Sequence, residues 1–480
     1  MSLLDLLTAP QWTTLISIPV LYLAYHLARG KSFIISPLPS YTGPYGVGVI
    51  DLEVPVSQPG ETTLIRYASG EAAFDLQTVL AAIYYPTNPS PDAQTPTEGH
   101  FWLDIPLAAT TYTRFLGTNS ALLQSLLSRL LTSLVGTIRI PAQIDAPFLA
   151  PPDEHRKWPV VILSHGAASG RTSYSHLCGE VAARGHVVVA IEHRDGSGGG
   201  SVVLRHGEAA REVLPLRTRE LRLQGRNVEP HAVKRAQMDF RLREVEEVVR
   251  LLRRIDAGEG QAMYEANSRH EGRALRDWAD RLNLRSVTMA GHSFGATLAV
   301  CAWLKMECGR RLIGLAACSQ MGAFGALPVR RGDNPGSSGP LNTDVQVPVL
   351  IVNSQSWSRT HSIFYGRPHF DAVREIAEGV LRLGEMAWFM TAMGTAHTSV
   401  TDAPLLAPGL LSWTTGSMID AHLGLKRYVD VCTAFLNFQH HDFVEDILMR
   451  PVDAEESTHC VHKRDWEIHV APYNAEGGRA

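Results

Sequence analysis

The stretch Ser286-Val-Thr-Met-Ala290-Gly291-His292-Ser293-Phe294-Gly295-Ala296-Thr-Leu-Ala-Val-Cys-Ala-Trp-Leu304 reads as a short apolar strand, a Gly-x-Ser-x-Gly turn and an alanine-rich helix. A Gly-x-Ser-x-Gly match alone is weak. The strand before it and the helix after it weigh against an incidental serine in a glycine-rich loop. On such a turn the serine Oγ projects from the strand end, and the next backbone N–H lies at the helix start, where a developing oxyanion is met. The flanking glycines follow from the same geometry, because the turn brings backbone against strand and helix and leaves no room for a Cβ. Ser293 is the expected nucleophile and the Phe294 N–H an expected oxyanion donor.

A serine of ordinary pKa needs a base, which in a strand-turn-helix hydrolase lies toward the C-terminus after the last strands. Gly394-Thr-Ala-His397 follows the apolar run 386–393, which makes His397 the candidate. The second oxyanion donor is expected on the loop after an early strand. Val160-Val-Ile-Leu-Ser164-His165-Gly166-Ala167 fits, with the Ala167 N–H as donor. Further strands are expected at 187–192 and 347–353, and strands alternate with helical patterns. That order predicts the α/β class, an α/β-hydrolase fold with a mostly parallel sheet covered by helices. The hydrolase domain is expected over 32–450, opening on the Pro-rich connector 36–44. An Arg-rich segment about 205–237, without strand character, reads as a surface insertion leading into a helix that ends near Ile255. Residues 451–480 read as a polar C-terminal tail.

With 45% hydrophobic and 19% charged residues over 480 positions, the chain has ample material for a core. Its net charge of −4 supplies no basic field for a phosphate backbone, so nucleic acid is excluded as an expected partner. The six cysteines (Cys178, Cys301, Cys308, Cys318, Cys432 and Cys460) have neither disulfide-scaffold nor Cys-x-x-Cys spacing and read as reduced thiols. His459, Cys460 and His462 beside His440 and His441 lack zinc-finger spacing, so no metal is expected. Residues 12–28 carry no charge, Asp5 precedes them, and Arg29 and Lys31 follow. This is the wrong polarity for a cleaved leader. Segment 1–31 is therefore read as a membrane anchor or as a helix docked on the domain, Pro19 and His26 favouring the second. As an anchor it would leave the catalytic domain on the cytosolic side of a membrane. Leu122, Leu123, Leu126, Leu127, Leu130, Leu131 and Leu134 recur at helical spacing with Arg129 as the only charge among them. They form either a core-packed helix or an interfacial one that meets lipid.

These motifs together resemble the platelet-activating factor acetylhydrolase family, the calcium-independent lipases that cut short or oxidised sn-2 acyl chains from phospholipids. The similarity runs from about Gly43 to Phe435. It includes Gly43-Pro-Tyr-Gly-Val-Gly, Tyr84-Tyr-Pro86, Ile138-Arg-Ile-Pro-Ala, Ser164-His-Gly through Arg171-Thr172, Glu192-His-Arg-Asp195, Gly291-His-Ser-Phe-Gly-Ala-Thr297, Val352-Asn-Ser354 and Gly394-Thr-Ala-His397. The resemblance implies Ser293 as nucleophile, His397 as base, Phe294 and Ala167 as oxyanion donors, no cofactor, and a phospholipid or similar lipid-ester substrate met at a membrane surface. It also implies that Leu122, Leu123, Leu126, Leu127 and Leu130 belong to a lipid-facing helix.

One position departs from the pattern. The triad aspartate of the family follows the strand after the nucleophile helix, and the corresponding stretch here, Leu312-Ile-Gly-Leu-Ala-Ala-Cys318-Ser-Gln, has Cys318 where the carboxylate is expected. The next strand reads Val352-Asn-Ser-Gln355 and also lacks a carboxylate. An acid recruited from the loop 332–343 and its edges, with Asp333 or Asp344 as candidates, is one expectation. Orientation of the imidazole by an amide or carbonyl is a second. A catalytically inactive scaffold is a third, and a broader carboxylesterase or acyltransferase on a lipophilic metabolite is the alternative activity.

Overall fold

The structure, a computed structural model, describes residues 35–89, 99–152, 157–305, 312–318, 345–357, 363–364, 367–408, 414–441, 445–453 and 464–473. Ten strands make the central sheet: β1 Gly46–Glu61, β2 Asp75–Thr87, β3 Gln143–Ile144, β4 Trp158–Ser164, β5 Val187–Ile191, β6 Leu282–His292, β7 Leu312–Cys318, β8 Val349–Ser354, β9 Ala387–Ala392 and β10 Trp466–Val470. Their spatial order is β10-β9-β8-β7-β6-β4-β5-β2-β1-β3. From β5 across to β9 the neighbours run parallel, whereas β1–β2, β2–β5 and β9–β10 are antiparallel. The expected strands at 160–164 and 286–290 lie inside β4 and β6, and those at 187–192 and 347–353 match β5 and β8 to within two residues.

The period-two side-chain alternation of a strand explains why these β-branched runs are continuous rather than amphipathic. Val160, Ile162, Val187 and Val189 enter one hydrophobic cluster, while Val161, Leu163 and Val188 enter the other, on the opposite face. The first face is covered by α4 (Pro230–Arg254), α5 (Phe294–Lys305) and α6 (His369–Arg382), and the second by α3 (Ser175–Ala182) and α7 (Ala421–His441). Two further helices, α1 (Ile105–Phe115) and α2 (Ala121–Val135), form an arm between β2 and β3.

Two segments differ from expectation. The polar composition beyond 450 hides β10, which pairs antiparallel with β9 and buries Trp466, Ile468 and Val470, so this part is an edge strand of the sheet rather than a tail. Segment 205–237 contains short strands at Arg211–Val213, Leu221–Leu223 and Arg226–Asn227, the second pairing with Ile65–Tyr67. Leu221 and Val228 are buried in the main core, so the segment is partly internal, and α4 starts at Pro230. Its charged residues masked four inward-facing apolar positions, Leu221, Val228, Val233 and Ala236. Among the described residues no helix is long and apolar enough to cross a membrane, and 12–28 lies outside them.

The chain order dictates where a ligand is met. After β4 the chain moves to β5 on one side, and after β6 it moves to β7 on the other. The carboxyl ends of β4 and β6 therefore flank the crevice at a topological switch point.

Candidate active site

β6 ends at His292 and α5 begins at Phe294, so Ser293 alone makes the turn. Its φ is +55°, a left-handed conformation uncommon outside glycine. A Cβ on Gly291 would stand 2.1 Å from the Gly295 carbonyl oxygen, and one on Gly295 would stand 2.0 Å from the Ser164 carbonyl oxygen. Both glycines are thus imposed by contact, as the motif reading expected. The Ser293 carbonyl accepts from Ala296 N at 3.0 Å and closes the first turn of α5. Phe294 N–H, at the first position of that helix, has no intrahelical acceptor and sits at the positive end of the dipole.

The loop after β4 faces this turn, since a Cβ on Gly166 would lie 3.1 Å from Ser293 Cβ. His165 Nδ1 donates to the Gly166 carbonyl at 2.7 Å, and its Nε2 accepts from His193 N at 3.1 Å. A carbonyl only accepts and an amide only donates, so the proton is on Nδ1. Burial, followed by the charge of Arg241, pushes His165 down to about 4 and keeps the ring neutral. Because C=O and N–H of a trans peptide point in opposite directions, anchoring the Gly166 carbonyl also fixes the direction of the Ala167 N–H.

Beneath this loop Glu192-His-Arg-Asp195 is wholly buried. Glu192 accepts from Arg171 at 3.0 Å, and Arg194 donates to Glu53 at 2.7 Å. His193 bridges Ser164 Oγ (2.8 Å) and Glu244 (2.6 Å). Burial raises the Glu244 carboxyl and lowers the His193 imidazole, which favours a neutral pair. Asp195 accepts from Arg241 Nε at 2.8 Å. Burial pushes the Asp195 carboxyl up, but the Arg241 charge and the bonds from Ser197 and Arg241 outweigh it and leave it lowered. Arg241 also donates to the His165 carbonyl at 2.8 Å, and its guanidinium lies 4.6 Å from the centroid of the Phe294 ring. One buried cation therefore touches both the loop after β4 and the start of α5. Arg241 and Glu244 are absent from the sequence reading because opposite charges three apart on a helix normally mark a solvated ion pair.

His397 opens a 3₁₀ turn, His397–Val400, just after β9. Its ring centroid is 4.6 Å from that of His292, and burial pushes its imidazole down to about 4. Cys318 ends β7 in register with His292 on β6, the strand end where the resemblance leads us to expect the acid. Asp333 and Asp344 lie outside the described residues. The structure thus gathers Ser293, the Gly166–Ala167 loop and the His397 turn at the carboxyl ends of the parallel strands. Among the described residues no group of three or more His, Cys, Asp or Glu side chains could hold a metal ion.

A cavity of about 510 Å³ lies beside the loop after β4, with Ala168, Ser169 and Arg171 on one wall and Trp102, Leu107 and Tyr112 on the other. The Trp102 indole donates at 3.1 Å to Asp402, which also accepts from Ser175 N, Ser175 Oγ and His176 N. Burial pushes the Asp402 carboxyl up to about 6 against those four bonds. Beyond the cavity, α2 turns its leucines two ways. Leu131 and Leu134 pack on the core, Leu123 and Leu127 are half-buried, and Leu122, Leu126 and Leu130 are 72%, 53% and 52% exposed.

The family model for platelet-activating factor acetylhydrolase, isoform II, matches residues 31–449. The chain belongs to that family. A Schizosaccharomyces pombe protein named "Putative phospholipase A2" is 27% identical over 78% of this chain and 85% of its own length. Platelet-activating factor acetylhydrolase of Gallus gallus is 30% identical over 48% of this chain and 50% of its own, and that of Bos taurus 25% identical over 61% and 56%. The match thus spans about half the length of these vertebrate relatives. A solved ferulic acid esterase from Streptomyces cinnamoneus superposes with a TM-score of 0.51 at 17% identity, covering 90% of this chain and 98% of that one, which establishes the α/β-hydrolase fold. Membership of the acetylhydrolase family places the chain among the lipid-ester hydrolases.

Proposed function

We propose that the chain hydrolyses the short or oxidised sn-2 acyl ester of a phospholipid through an acyl-enzyme, without calcium or any other cofactor. The observation that carries this reading is Ser293 at φ +55° between β6 and α5, facing the Gly166–Ala167 loop. Ser293 Oγ attacks the ester carbonyl as His397 takes its proton. The tetrahedral oxyanion is held by the Phe294 and Ala167 N–H groups, and His397 returns the proton to the departing lysophospholipid oxygen. Water, deprotonated by His397, then attacks the acyl-Ser293 ester, and His397 passes that proton to the departing Ser293 Oγ as the acid is released. Asp333 or Asp344 supplies the carboxylate that orients His397. The cavity between Trp102 and Ser169 receives the lipid, and Leu122, Leu123, Leu126, Leu127 and Leu130 meet the membrane surface.

The test uses the intact chain with a short-chain sn-2 phospholipid and a fluorophosphonate probe. Ser293→Ala is expected to abolish both hydrolysis and labelling, and His397→Ala to abolish hydrolysis. Activity that survives in Ser293→Ala purified free of host esterases overturns the mechanism. Wild-type protein that resists the probe favours an inactive scaffold, the reading that Cys318 at the family's acid position supports. A preference for p-nitrophenyl esters over glycerophospholipids indicates the broader carboxylesterase.

A further inference from the structure

His292 fills the first variable position of the Gly-x-Ser-x-Gly turn, and its imidazole reaches Tyr174 and the His397 turn. Its Nε2 lies 3.1 Å from the His397 backbone carbonyl and its Nδ1 lies 2.7 Å from the Tyr174 hydroxyl. The Tyr174 oxygen also accepts from Gly166 N at 3.1 Å. Proton placement follows from these partners. A carbonyl oxygen only accepts, so Nε2 carries the hydrogen. Burial, and then the neighbouring His397, holds His292 far below the ordinary histidine range, so the ring is neutral and Nδ1 offers a lone pair. The Tyr174 hydroxyl therefore donates to Nδ1 while it accepts from Gly166. Both side chains are buried, and Tyr174 is fully enclosed.

We propose that His292 and Tyr174 are positioning residues that lock the His397 turn and the oxyanion loop to the nucleophile turn. The inference rests on the esterase reading above and adds two residues to it. The chain of bonds runs from Gly166 N–H through Tyr174 and His292 to the carbonyl of the base itself. Each loop comes from a different part of the sequence, and each is placed relative to Ser293 by a hydrogen bond rather than by the sheet alone. Neither side chain exchanges a proton with substrate; they set where the base and the Gly166–Ala167 peptide stand.

The lock is tested with Tyr174→Phe, His292→Leu and His292→Gln in the intact chain. Misplacement of reacting groups by about 1 Å costs on the order of 10²-fold in rate. Tyr174→Phe and His292→Leu are therefore expected to lower kcat by about 10- to 100-fold with KM within about two-fold, the pattern of an interaction that serves the transition state. His292→Gln, whose side-chain N–H can reach the His397 carbonyl, is expected to recover part of that loss. A purely structural role would lower the melting temperature and leave kcat per titrated site unchanged. Folded Tyr174→Phe and His292→Leu proteins with wild-type kcat overturn the proposal. A second measurement needs neither activity nor a variant that folds well. The ¹⁵N side-chain spectrum of the wild-type protein at pH 7 should show His292 as a neutral Nε2–H imidazole, and an Nδ1–H form or an imidazolium overturns the lock. If the wild type does not hydrolyse lipid esters while the His292 tautomer is as stated, the esterase reading has failed and the lock stands as geometry.

Discussion

Asp333 and Asp344 distinguish two versions of the base. Burial alone holds His397 at about 4, and a carboxylate bonded to the ring would raise that value because it favours the imidazolium. The base works in its neutral form, so kcat/KM falls as pH drops through its pKa. Replacing the true acid by Asn is expected to move the acid limb of kcat/KM down toward pH 4 and to reduce kcat by on the order of 10⁴, as loss of a triad acid does in serine proteases. The other Asp→Asn variant should leave both unchanged. If neither variant responds and Cys318→Asp raises turnover, the acid position is vacant and recruitment is wrong. At this scale the Ser293 turn was legible because its motif obeys a steric rule. The bracing side chains were not: Arg241 and Glu244 look like a solvated pair, and only the fold shows that both point inward to Asp195 and His193. Tyr174 carries no sequence mark at all, since a tyrosine at the start of a helix is ordinary.

Helical elements were readable by period, but their environment was not. The leucines of α2 fit a core stripe and an interfacial ridge equally well, because periodicity reports which side chains share a face and says nothing of what that face meets. With Leu126 and Leu130 half exposed, Leu126→Glu and Leu130→Glu should change unfolding free energy by no more than about 0.5 kcal/mol, the usual range for surface substitutions. Co-sedimentation with phosphatidylcholine vesicles should fall sharply for both, and for the protein lacking residues 1–31 to the extent that this segment anchors it. Unfolding of the two glutamate variants would show that the ridge is covered in the native state. Unchanged vesicle binding would remove it from the lipid-facing surface. Among strands, the continuous runs at β4, β5 and β8 were found because burial on both faces makes them uniformly apolar. β10 escaped because its sequence Trp466-Glu-Ile-His-Val470 sits in a polar stretch and alternates, as suits an edge.

At the scale of the whole sheet, β10 covers the outer edge of β9, whose following turn carries His397. Trp466, Ile468 and Val470 are each more than nine-tenths buried. At roughly 1.5–3 kcal/mol for a fully buried large apolar side chain, their removal approaches the whole stability of an average domain, about 5–15 kcal/mol. A chain cut after residue 453 is expected to accumulate little folded protein, and circular dichroism melting of whatever is purified will check this. A truncated protein that melts within a few degrees of the full chain would show that the edge is dispensable. The strand order also has a consequence during synthesis. The serine turn is complete once α5 has formed, yet His397 lies about a hundred residues further along, so at roughly 5–20 residues per second the nucleophile waits about 5 to 20 s for its base. In the proposed mechanism the growing chain carries an unactivated Ser293 hydroxyl throughout that interval. Assembly order is thus a timing safeguard for the proposed acyl transfer, which cannot begin until β9 and the turn after it have been made.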